Sequence, residues 1–139
     1  MKFRYCYDPN RFDLRDSYWE FKNLGDGLLT AKVFDVNIPS GDDQGEVIES
    51  ALVTFDGFRL TWIERMEGDD QVRLTEEEAV EFLTRGSYFV FSYGTDDHEC
   101  ELAGVDNGEF FAMLFSYDSA EIGWDDFKQP PVGTLVKIQ

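Results

Sequence analysis

His98 is the only histidine among 139 residues, so any Ser-His or Cys-His nucleophile pair would have to use it. It sits in Thr95-Asp96-Asp97-His98-Glu99-Cys100, between two strand-like segments. On extended backbone Asp96, His98 and Cys100 share a face, a spacing compatible with three ligands of a transition metal. No second ligand motif accompanies them, so the segment reads as a solvated hairpin turn with no metal and no other cofactor. The 29 carboxylates make any single pair uninformative as a general acid and base. No glycine-flanked nucleophile elbow occurs, and no Gly-rich loop precedes a helix. Asp42-Asp43-Gln44-Gly45-Glu46 is acidic like a calcium loop, yet it lacks the alternate-position acids and the twelfth-position Glu. The expectation is a protein that is not an enzyme.

Charge is the stronger signal. The formal net charge is −17, from 29 acids against 12 bases. Residues 33–127 hold 24 of those acids and four bases, and residues 86–127 contain ten acids and no Lys or Arg. Such a surface repels nucleic acid and anionic membrane, and its natural complement is a basic protein. Within the stretch lacking bases, Asp96, Asp97, Glu99 and Glu101 form one candidate partner-binding segment. Trp124, Asp125, Asp126 and Phe127 form a second, with Trp124 as an aromatic anchor inside a charged rim.

These residues need a scaffold, and 22 aromatics supply the core for one. One domain spanning 1–139 is expected, since its length suits a single core and no linker or repeat divides it. The N-terminus lacks an unbroken apolar region and no apolar run approaches a membrane span, which favours the cytoplasm. Cys6 and Cys100 are expected to be free thiols there.

Phe3, Tyr5 and Tyr7 alternate with Arg4 and Cys6 as in a half-buried strand. Gly25-Asp26-Gly27 predicts a hairpin between 17–24 and 28–38, although 14–24 could instead be helical. Asp56-Gly57 predicts a second hairpin and Asp106-Asn107-Gly108 a third. After Asp56-Gly57, Phe58, Leu60 and Trp62 should share a face. Tyr88-Phe89-Val90-Phe91 and the run 110–115 are apolar on both faces, which predicts central strands covered on each side. Thr75-Glu76-Glu77-Glu78 is a capping box opening a helix over about 75–85, with Ala79, Phe82 and Leu83 as its apolar stripe and Gly86 as a left-handed stop. A second helical turn is expected from Asp118 or Ser119 to Phe127, and a final strand over 132–138.

Together these elements predict an α+β fold. Its sheet is mostly antiparallel, of about six to eight strands, strongly bent or partly closed, with one covering helix. The expected function is an acidic binding or inhibitory protein that neutralises a basic partner. Immunity proteins and antitoxins against nucleases work in this way, as do inhibitors that imitate nucleic acid. The alternatives are a β-rich module enclosing a small ligand in an aromatic pocket and a carboxylate-dependent enzyme.

Overall fold

The computed structural model describes residues 3–6, 14–38 and 46–124. Alternation of apolar and polar residues produces strands over most of this length. In chain order these are β1 (Phe3–Cys6), β2 (Ser17–Gly25), β3 (Leu28–Ile38), β4 (Glu46–Asp56), β5 (Arg59–Glu67) and β6 (Asp70–Arg73). The helix α1 (Glu76–Thr84) follows, then β7 (Tyr88–Asp96), β8 (Glu99–Asp106), β9 (Glu109–Ser116) and β10 (Ser119–Trp124). They form one ten-stranded sheet in the order β1-β10-β4-β3-β2-β7-β8-β9-β5-β6, every neighbouring pair antiparallel. The strand count exceeds the six to eight expected. The sheet is open, not partly closed, with β1 and β6 at its two edges.

Two of the predicted hairpins form as the turn residues dictate. Asp26 (φ 56°) and Gly27 (φ 72°) join β2 to β3, and Asn107 (φ 50°) and Gly108 (φ 83°) join β8 to β9. Both central residues at positive φ give the turn twist that matches right-twisted strands. Asp97 (φ 48°) and His98 (φ 63°) do the same between β7 and β8, with Asp96 opposite Glu99.

Asp56-Gly57 is not a hairpin. β4 pairs with β3 and β10, whereas β5 pairs with β9 and β6, so the dipeptide carries the chain between strands in the third and ninth positions of the sheet. Tyr117 and Asp118 make the equivalent passage from β9, in the eighth position, to β10, in the second. Each link has two residues, so the Cα atoms it connects lie at most about 11 Å apart. Six strand spacings on a flat sheet would separate them by about 29 Å. The sheet therefore curls until its two halves meet.

Ring contacts confirm the meeting. Phe55 on β4 lies 5.0 Å from Phe115 on β9 and 5.1 Å from Tyr117, and Phe58 lies 5.1 Å from Phe115. Where the two links run side by side, Asp118 N–H donates to the Asp56 carbonyl (2.8 Å), and Phe58 N–H ties its link to the Gly27 carbonyl of the β2–β3 turn (3.0 Å). Gly57 has φ 71°, and a Cβ there would come within 2.0 Å of Asp118 Oδ2. Glycine is required at that crossing.

The concave side of the curl is the core. Trp19, Phe21, Tyr88 and Phe111 interlock on one part of it, and Phe82 of α1 packs against Tyr88 and Phe111. Thr75 caps α1 through the expected reciprocal box, and Ala79, Phe82 and Leu83 are its buried stripe. Gly86 is not the left-handed stop; the helix ends at Arg85 in ordinary helical geometry (φ −89°). Tyr88 Oη donates to the carbonyl of Phe82 (2.5 Å), tying the last turn of the helix to β7. Among the described residues, Ser17 is the buried polar residue within this core. Its hydroxyl donates to the Leu14 carbonyl (2.6 Å) and accepts from Trp19 Nε1 (3.0 Å).

Two further expectations change, and one alternative falls away. Residues 14–24 do not take the alternative helical form, because β2 is held between β3 and β7 as part of the expected hairpin. The predicted helical turn after Asp118 is β10, held between β1 and β4, with Ala120, Ile122 and Trp124 alternating into the core. A bulge between Leu60 and Trp62 turns Trp62 out beside Leu114 and gives the core position to Ile63, opposite Met113. The expected 132–138 strand and the 42–46 loop lie largely or wholly outside the described residues.

If β4 and β9 meet face to face, Phe55→Leu and Phe115→Leu should be non-additive. A double-mutant cycle in urea is expected to show coupling of about 0.5–1.5 kcal/mol, the size measured for buried aromatic pairs; strict additivity would contradict the curl.

Candidate functional site

The β7–β8 hairpin carries the first candidate segment. Strand alternation sends Cys100 and Leu102 into the core and leaves Glu99 and Glu101 outside. Asp96 is the direct cross-strand neighbour of Glu99, and Gly94 faces Glu101, so Asp96, Glu99 and Glu101 stand on the convex side while Asp97 occupies the turn. All four are exposed. Among the described residues none of the four forms an ion pair, whereas Glu20, Glu64, Glu67, Glu109 and Asp118 pair with Lys22, Arg73, Arg65, Arg85 and Arg59. Like charges placed directly opposite one another, as Asp96 and Glu99 are, destabilise a sheet.

The same turn separates the three residues whose spacing suggested metal ligation. His98 lies over Tyr117 (centroids 5.8 Å apart), and its carbonyl accepts from Tyr117 N–H (2.9 Å). Cys100 is a free thiol, fully buried and on the opposite side of the strand from Glu99. Burial, reinforced by the charge of Glu101, raises its pKa well above the ordinary thiol range.

Trp124 does not serve as an exposed anchor. Only 3 % of its surface is exposed, because it ends β10 on the core side of a strand paired on both edges. Asp125, Asp126 and Phe127 lie outside the described residues.

What sequence reasoning missed is an apolar surface on the convex side. Tyr18, Phe91 and Phe110 are 51 %, 43 % and 45 % exposed. Their rings meet others: Tyr18 with Phe89 (5.3 Å) and Phe91 with Phe110 (6.1 Å). The apolar runs through β7 and β9 predict strands covered on both sides. Both strands are central, as expected, but their convex aromatics remain partly open. A local apolar run specifies a strand without specifying that a second layer exists. Only the tertiary path reveals that α1 packs on the concave side.

A cleft of about 170 Å³ beside α1 is lined by Arg65, Leu74, Glu78, Glu81, Phe82 and Arg85. It is smaller than the roughly 300–1,000 Å³ of a small-molecule site and carries both signs of charge. Hydrogen bonds from the Thr75 backbone and hydroxyl hold the Glu78 carboxyl below its usual range, while Glu109 raises Arg85. Glu78 therefore serves the helix cap.

No helix among the described residues is long and apolar enough to cross a membrane. Searches against protein-family models, curated proteins and solved structures find no match to this chain.

Two outcomes test this placement. Trp124→Ala should cost about 3–5 kcal/mol in chemical denaturation, the penalty of emptying a buried aromatic site. For Cys100 the sign follows from its raised folded-state pKa. Below about pH 8.5 the thiol is protonated in both states and its contribution is complete; above that only the unfolded chain ionises. Wild-type stability should therefore fall faster than that of Cys100→Ala between pH 8.5 and 10.5, by about 1.4 kcal/mol per pH unit. Equal slopes in the two proteins would place the thiol in water.

Proposed function

We propose that this chain is an acidic binding protein that captures and neutralises a basic protein partner, its β7–β8 hairpin forming the charged part of the contact. The supporting observation is the exposed set Asp96, Asp97, Glu99 and Glu101, which no basic side chain among the described residues neutralises. A cross-strand Asp96–Glu99 pair is locally unfavourable in the free protein. Bringing a Lys or Arg between the two carboxylates relieves that repulsion, so binding energy and folding strain favour the same partner chemistry.

Magnitude supports a protein partner of high positive charge. A block carrying 24 acids and four bases creates a field that steers a cationic surface toward it and accelerates encounter at low salt. The same field repels phosphate backbones, so this reading includes no direct nucleic-acid binding. A nuclease or another nucleic-acid-binding protein has the complementary surface, and an inhibitor of such a protein is the function proposed.

The test begins with affinity capture from the native cell at low and high salt. Reversing Asp96, Asp97, Glu99 and Glu101 to Lys should then slow association with the captured partner at least tenfold at low ionic strength. It should also flatten the salt dependence of the rate, with the fold intact by circular dichroism. Unchanged association by the folded variant would remove the hairpin from the interface. Micromolar binding of duplex DNA or RNA at physiological salt would overturn the proposal itself.

A further inference from the structure

The convex aromatics are ordered by strand register into one row. Phe34 on β3 is paired with Tyr18 on β2, Tyr18 with Phe89 on β7, Phe89 with Val105 on β8, and Val105 with Phe110 on β9. These five strands are consecutive in the sheet. Cross-strand partners share a face, so the five side chains form an apolar band about 19 Å long across the strands. Phe91, at the register shift between Val90 and Ser92, adds a sixth apolar side chain and a fifth ring, against Phe110. A largely aromatic apolar band of this kind, on a face that α1 does not cover, is the signature of an interaction site.

We propose that this band is the docking surface for a cationic segment of a protein partner, whose Arg and Lys side chains lie over the rings and whose remaining charges reach the β7–β8 acids. The identity of the occupant rests on charge and on ring chemistry. On the convex side, Asp96, Glu99 and Glu101 lie along β7 and β8 from the band; Glu101 is about 13 Å and Glu99 about 20 Å from Val105 at strand spacing. A cationic segment of about six extended residues covers that path.

Rings on this side already accept cations within the chain. Lys32 Nζ stands 5.1 Å over Phe34 at one end of the band, and the Arg73 guanidinium 5.6 Å from Trp62, which the β5 bulge turns to the same side. A second copy of the chain is a poor occupant. It would bring another net charge of −17, and the same exposed acids, against this face. The inference rests on the reading of a basic partner and adds where the apolar part of the contact lies.

The experiment uses the full chain with heptaarginine as probe and heptaglutamate as control, followed by backbone-amide and aromatic-ring NMR at low salt. Heptaarginine should shift the ring signals of Tyr18, Phe91 and Phe110 together with the amides of 96–101, and heptaglutamate neither. The triple variant Tyr18→Ser, Phe91→Ser, Phe110→Ser, checked for an unchanged melting profile, should bind heptaarginine at least fivefold more weakly. If that variant does not fold, the ring shifts of the wild-type protein decide. Hairpin shifts without ring shifts would overturn the docking surface and leave the acidic-capture reading standing. Silence from both sets would count against both. Ring shifts that depend on protein concentration alone, with a dimer in sedimentation, would replace the cationic occupant with a second copy.

Discussion

Two short links govern this structure. Gly57-Phe58 and Tyr117-Asp118 each join strands six places apart in the sheet order, and neither can reach across a flat sheet. Curling is the geometric condition for the chain to exist in this order. The links cross side by side, with Asp118 N–H on the Asp56 carbonyl and Arg59 held to Asp118 at 3.1 Å. That salt bridge is exposed and contributes little energy. The buried rings that the crossing brings together, Phe55, Phe58, Phe115 and Tyr117, contribute far more.

Curling also divides the molecule into two unequal sides. The concave side receives the rings of β2, β4, β7 and β9 and the stripe of α1, and it is filled by aromatic and aliphatic side chains. The convex side has no such cover from α1, and it carries both the aromatic row and most of the uncompensated hairpin acids. Apolar surface and negative charge therefore meet on one face by construction. An interface needs both: charge governs how quickly a partner arrives, and desolvated rings govern how long it stays.

Much of the local structure was legible in the sequence because single residues decide it. Gly25-Asp26-Gly27 and Asp106-Asn107-Gly108 specify turns through positive φ, and Thr75 with Glu78 specifies a helix start through two hydrogen bonds. Asp56-Gly57 carries the same backbone information, yet a positive φ at Gly57 does not say which strands will pair. The strand ends on either side of it, Asp56 and Arg59, found partners 28 and 57 residues away in β3 and β9, a choice made by packing. The bulge that reverses Trp62 and Ile63 is likewise invisible to a two-residue alternation. Trp124 resembled a surface anchor because acids follow it in sequence, whereas its own strand position buries it. The acids of 96–101 were readable because a turn leaves them little choice of side. The row from Phe34 to Phe110 was not, since it exists only through the register of five strands.

A soluble paramagnetic agent measures the division into a filled concave side and an open convex side directly, through broadening of aromatic ring signals. Tyr18, Phe91 and Phe110 should broaden strongly while Trp19, Phe55 and Phe115 are protected. Equal broadening of the two groups, or protection of the convex rings in the monomer, would contradict this division.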